Sequence, residues 1–271
     1  MAAARKIRTG GKPKTLAAVR PNVGLEAAYR RALDTLVGEM HASLVRFLSA
    51  QYRRRPPVMA QDSPASDMAA AMRILRRRWE SRFDEASDRL AIHYSRAIAR
   101  RSDANLRSIL KRAGIAVEFK MTPAMTDVMH ATIGEQVSLI RSIASEHLTQ
   151  VEGLVMRSVQ QGGDLATLTR QLQHRYAVTR HRAALIARDQ NSKAVAAMTR
   201  ARQEELGITE AVWLHSRGGR EPRPTHLAND GEKFVVSEGW FDPDPKVRQR
   251  IWPGQLINCR CVSKPIVPGF T

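Results

Sequence analysis

The residues best suited to chemistry crowd into the C-terminal quarter of the chain. Cys259-Arg260-Cys261 sets two thiols two residues apart. On a strand, that spacing puts both thiols on one face and the arginine on the other. A disulfide between them would close a small strained ring, and an intracellular product would meet a reducing pool. Two thiolates on one face suit zinc, with His226 and His215 as completing ligands, although zinc cysteines usually lie about two to four residues apart. The competing reading is that both cysteines are small buried hydrophobes, the usual condition of a free cysteine. His226, Asp230, Asn258 and Cys259 also include the residue types of a nuclease-like or thiol-hydrolase-like site. No acid/base pair, Gly-rich phosphate loop or metal-carboxylate cluster accompanies them, so the chain is read as non-enzymatic. No cofactor is required, and structural zinc is the one candidate.

A second kind of chemistry is electrostatic. The 271 residues carry 44 Lys+Arg against 26 Asp+Glu, a formal net charge of +18. Fourteen of these eighteen charges fall in the first 120 residues. Such a balance favours a polyanionic partner, most simply nucleic acid. Arg53-Arg54-Arg55 and Arg76-Arg77-Arg78 are the strongest candidates, because adjacent cations repel one another and a phosphate backbone relieves that repulsion. Aromatic residues are only 5% of the chain, which argues against single-strand stacking. No zinc-finger or RNP motif is present, so the expected mode is non-specific phosphate contact to double-stranded DNA. The hydrophobic fraction of 43% is enough for a real core. No run of about 18 apolar residues exists to span a membrane as a helix. The basic start of the chain has no apolar stretch behind it and does not read as a secretory signal.

The elements that must position these residues read as mainly α, with long amphipathic helices followed by a small, loop-rich C-terminal α+β module of short strands. Residues 1–21 read as a flexible basic arm, 22–120 as a basic helical region, 121–207 as a helical core and 208–271 as the module. Asn22 is a helix cap, and Leu25, Tyr29, Leu33, Leu36, Met40, Leu44 and Phe47 form one apolar stripe ending before Pro56-Pro57. A second helix opens at Asp67 and stops at Gly114, with a kink or break expected at residues 100–103. Trp79 and Phe83 lie one turn apart and read as a core contact. Residues 115–119 read as a short strand or linker. Beyond Thr122-Pro123, a helix covers 128–147, and 149–160 continues it or starts another. A turn at 161–164 leads to a short helix through Tyr176, and Thr179 caps a further helix closed by Gly207. Met121, Met125 and Met129 read as adaptable packing. His41, His93, His130, His147, His174 and His181 lie singly in helices and read as packed or solvated residues. Residues 211–215 and 233–236 read as strands, the second after the Asn229-Asp230-Gly231 turn. Trp213, Phe234 and Trp252 form the expected packing set, and Asp242-Pro243-Asp244-Pro245 a loop.

One ordered set of residues points further. Leu139-Ile140-Arg141-Ser142-Ile143, Gly162-Gly163-Asp164-Leu165 and Leu172 come first. Arg182-Ala183-Ala184-Leu185-Ile186-Ala187-Arg188-Asp189-Gln190, Gly207-Ile208 and Trp213 follow. Pro224-Thr225-His226, Asp230-Gly231, Phe234, Trp252-Pro253-Gly254 and Asn258-Cys259-Arg260-Cys261 complete it. Over residues 125–265 this order resembles the bacteriophage minor head, or head-morphogenesis, proteins typified by the Mu F-like family. The sequence departs from that pattern at Asp189-Gln190, where Thr-Glu is usual. The resemblance implies a structural virion component, made with the procapsid in the host cytoplasm. It implies association with the portal oligomer at its vertex inside the capsid, close to packaged DNA. Scaffold or major capsid protein and a second copy of the chain are further candidate partners. Arg188, on an otherwise apolar helix, is expected in a buried or interface ion pair.

Overall fold

The computed structural model describes residues 11–54, 64–161, 165–218 and 221–269. The element order is β1 (Gly11–Thr15), α1 (Val23–Arg54), α2 (Pro64–Arg112), α3 (Pro123–Gln160), α4 (Leu165–Glu205), β2 (Glu210–Leu214), α5 (Pro224–Ala228), β3 (Lys233–Val235), β4 (Trp240–Asp242), β5 (Gln249–Ile251) and β6 (Val262–Gly269). The chain is mainly α with a small C-terminal region of short antiparallel strands.

Local signals set the helix ends. The Asn22 side chain accepts the Leu25 backbone N–H at 2.9 Å, and Thr122 accepts that of Met125 at 3.2 Å, each capping the helix that follows. Gly114 and Gly207 close α2 and α4 with φ of 85° and 72°. In each case the next residue donates five positions back (Ile115 to Leu110, Ile208 to Gln203), while the glycine N–H donates three back. That is the Schellman arrangement, and it needs a left-handed residue that glycine supplies without strain.

Three sequence expectations are corrected. The second helix has no break at residues 100–103: Ser102 is buried, and Asp103 accepts two hydrogen bonds from Arg202 at 2.9 and 2.8 Å. Likewise α4 runs unbroken through the expected junction at 175–179. Thr179 is not a cap: its hydroxyl donates back to the Arg175 carbonyl within the helix. The basic arm is not free over its described part. Gly11–Thr15 pairs antiparallel with β6, and Leu16 and Val19 are buried behind it. Residues 1–10, the 162–164 turn and the Pro56-Pro57 stop lie outside the described residues. Residues 115–119 form a linker, and α3 is a single helix.

Two compact units are assembled from these elements. One comprises Ala27–Ile92 and Gly134–Ala187 and is entirely helical where described. Buried Leu33, Val37, Met40, Leu44 and Leu48 recur on α1 at three- and four-residue steps, and Met72, Leu75, Trp79 and Phe83 do the same on α2. Side chains tie its segments together. Tyr52 donates to Ser158 at 2.8 Å, His147 meets Thr179 at 2.7 Å, and the rings of His41 and Tyr176 stack at 4.2 Å.

The other unit comprises Met1–Glu26, His93–Ile133 and Arg188–Thr271. Its larger core gathers Ile98, Leu106, Leu110, Met125, Met129, Met198 and Ile208 with Leu16 and Val19. Met121, by contrast, is exposed. A four-stranded antiparallel sheet of order β1-β6-β2-β3 and a separate β4-β5 ribbon complete it. On β2, Ala211 and Trp213 turn inward in alternation. They join Phe234, Val236, Ile251, Cys259 and Cys261 in a second, smaller core, with Trp252 packed against it.

Candidate functional site

The smaller core encloses a polar chain. His226 sits on α5, a five-residue helix that Pro224 opens with its φ already fixed. Its ring edge faces Trp213 at 5.1 Å and Trp240 at 6.3 Å between centroids. Cys259 and Cys261 come from the opposite side, at the entry to β6. Asn258 adopts a left-handed φ of 61°, which turns the chain so that both thiols point inward. The Asn258 N–H donates to buried Asp189 at 2.6 Å, and its side-chain oxygen accepts from Arg188 at 3.3 Å. Arg260 points the other way and donates to the Gly218 carbonyl at 2.7 Å, as the alternation of a strand requires.

These elements bring three of the four expected metal ligands together. His226 Nδ1 lies 3.5 Å from Cys259 Sγ and 3.7 Å from Cys261 Sγ. The three ligand atoms all fall within 4.8 Å of one another, and all three residues are buried. His215 does not join that set. Its backbone N–H donates to Asp230 at 2.8 Å, and its Nδ1 accepts the Arg217 N–H at 3.1 Å. Asp230 also meets Arg217 at 3.2 Å, and the His215 N–H, foremost, with Arg217 holds its carboxyl below the usual range. Asp230 and Gly231 therefore serve β2: the Gly231 N–H donates to the Trp213 carbonyl at 2.9 Å.

The residue the sequence reading missed is Asp242. Its sequence context reads as a loop, yet it ends β4 with no exposed surface, and its Oδ2 lies 3.2 Å from His226 Nε2. The contact is short but departs from a linear hydrogen bond. The alternation of β4 puts the carboxylate on the same face as Trp240, but a three-residue strand followed by Pro243 leaves no period to read in the sequence. Cys259, His226 and Asp242 thus form a continuous chain. The Cys261 thiol, foremost, and His226 hold the Cys259 thiol well below its ordinary value against the effect of burial. Sharing that proton, together with burial, pushes Cys261 up. Sulfur, imidazole and carboxylate in succession could activate a nucleophile or orient a metal ligand. All of these side chains are buried, which keeps a large substrate from the sulfur. Of the other residues considered for catalysis, Asp230 and Asn258 face His215 and Arg188 instead.

The basic candidates separate in the same way. Arg53 and Arg54 are exposed in the last turn of α1, and Arg55 lies outside the described residues. Arg77 and Arg78 are exposed on α2. Arg76 is not available to a phosphate: it bonds Glu80 at 3.2 Å and Glu152 at 2.8 Å. Arg188 has an amide partner, Asn258, in place of the expected carboxylate. Sequence reading also missed Arg96, Arg100, Arg107 and Lys111, all exposed on α2. Their four- and seven-residue steps place them along one helix face.

Residues 149–264 match the family model described as Phage Mu protein F like protein. An uncharacterized protein of Haemophilus influenzae is 34% identical over 153 residues, covering 56% of this chain and 32% of that protein. The chain thus spans about a third of the length of the curated relative it matches. No solved structure matches it. No described helix is long and apolar enough to cross a membrane.

Proposed function

We propose that this chain, a Mu protein F-like head-morphogenesis protein over residues 149–264, is a minor structural component of a phage head that docks on the portal oligomer and lies against packaged double-stranded DNA. The observation that carries the reading is the family match. It covers the end of α3, all of α4, strands β2 to β5, the start of β6, and the His226-Cys259-Cys261 cluster as one stretch. A structural role fits the burial of the Cys259-His226-Asp242 chain, which offers no open cleft to a polymer substrate.

The DNA-facing part of the reading rests on charge. The first 120 residues carry fourteen of the eighteen net charges. Arg53, Arg54, Arg77, Arg78, Arg96 and Arg100 are exposed, and none of them meets a carboxylate among the described residues. Contacts from such side chains to phosphate are sequence-blind and weaken steeply with salt. Location inside the capsid near the portal vertex, assembly in the host cytoplasm, and contact with scaffold, major capsid protein or a second copy belong to the same proposal.

The test is co-purification with a phage portal protein co-expressed with the chain. A stable complex with a ring-shaped portal oligomer, surviving nuclease treatment, is the expected result. Complete loss of association on nuclease treatment would identify a general DNA-binding protein with no portal partner.

A further inference from the structure

We propose that His226, Cys259 and Cys261 bind a zinc-class divalent cation, with buried Asp242 orienting the histidine. This goes beyond the head-protein reading and does not depend on it. The geometry carries it. Tetrahedral zinc with bonds of about 2.3 Å to sulfur and 2.0–2.1 Å to nitrogen sets its sulfur and nitrogen ligands about 3.6 Å apart. Both sulfurs already stand at that separation from His226 Nδ1, at 3.5 and 3.7 Å. Both contacts converge on the single Nδ1 atom, the arrangement that ligands of one shared cation take. A cation at the centre of the triangle accounts for the two together.

Asp242 is the independent observation. A metal-ligating histidine usually turns its other ring N–H to a carboxylate, which fixes the tautomer and aims the coordinating lone pair. Asp242 stands on Nε2 at 3.2 Å with no exposed surface, so Nδ1 is the nitrogen left facing the thiols. Soft thiolates with one imidazole select zinc over magnesium or calcium. Two cysteines and one histidine leave a fourth position, which in such sites takes a water.

The test uses the full chain, purified without chelator from cells supplied with zinc. About one zinc per chain is expected by elemental analysis. After chelator stripping, added cobalt(II) should give the visible bands of a tetrahedral site and a thiolate charge-transfer band. Cys259→Ser and Cys261→Ser should each abolish the charge-transfer band or shift it. Asp242→Asn should keep the band while weakening metal binding about 10–100-fold. Arg260→Ala, on the opposite face, should leave both unchanged. Because ligand variants could unfold, the deciding result is on the unmodified chain. Folded protein holding less than a tenth of an equivalent of zinc, and giving no cobalt charge-transfer band, overturns the proposal.

Discussion

The all-helical unit and the C-terminal module solve the same problem with different resources. In residues 27–92 and 134–187, apolar side chains repeat along helices tens of residues long, and every turn adds another contact of the same kind. In residues 208–269, strands of three to eight residues supply a seven-residue core with a polar chain inside it. Repetition distributes stability over many equivalent positions. The short-stranded module concentrates it in a few that have no substitute: Trp213, His226, Asp242, Asn258. A difference in how mutations act should follow, and each experiment below either sharpens that contrast or removes it.

The largest effect is expected at Trp213. It is fully buried and its ring meets those of His226, Phe234 and Trp240. Trp213→Ala should cost about 3–5 kcal/mol. Hydrogen exchange should show the loss in residues 208–269, with helical amides of residues 27–54 still protected. Uniform loss of protection across the chain would end the contrast.

Next comes a pH effect inside the helical unit. Burial, reinforced by the nearby His41 and Arg175 charges, lowers His147 from 6.5 to about 4. Thr179 already donates to Arg175, so its oxygen accepts from His147 Nδ1–H, and Nε2 has no partner. The native ring is therefore neutral. The unfolded chain takes up a proton near pH 6.5 while the native state resists it until about pH 4. Stability should be full above the higher value and fall by about 3 kcal/mol as pH drops between the two. Denaturant titrations at stepped pH check this, and His147→Leu should remove one proton from the slope.

What the sequence made legible divides along the same line. The α1 stripe, its Asn22 cap and the Trp79–Phe83 pair follow from spacing alone, because helical burial repeats at 3.6 residues. The expected break at 100–103 and junction at 175–179 failed for one reason. Local polarity there is resolved by distant partners, Arg202 for Asp103 and His147 for Thr179, which no local window contains. Gly11–Thr15 has no alternation to mark it as a strand, and three-residue β4 is too short to show a period. At the site, Cys259, Cys261 and His226 were found from residue type, whereas Asp242 was hidden by the prolines around it. His215, chosen by type as well, was turned away by its bonds to Asp230 and Arg217.

A smaller loss is expected where the module's entry loop is fixed. Asp189 accepts the N–H of left-handed Asn258 at 2.6 Å and pairs with Lys193 at 3.2 Å. Asp189→Ala leaves that part-buried donor without its partner, which should cost about 1 kcal/mol. Asp189→Asn keeps an acceptor and should recover most of it. Equal losses in the two variants would mean that the charge, not the acceptor, holds the loop.

The smallest effect on stability should accompany the clearest effect on DNA binding. Arg77 and Arg78 are exposed, whereas their neighbour Arg76 bridges Glu80 and Glu152. Replacing Arg77 and Arg78 together by Ala should change stability by no more than about 0.5 kcal/mol. If each touches one phosphate, the slope of log affinity against log salt should fall in magnitude by about 0.9 per residue. Arg76→Ala should do the reverse: it breaks a half-buried ion pair, for a loss of about 1 kcal/mol, and leaves the slope alone. Three adjacent arginines with identical side chains would then differ only in what the fold places beside them. If instead all three changed the slope alike, Arg76 would have to leave its carboxylates to reach DNA, and the helical surface would be set by its ligand rather than by its own ion pairs.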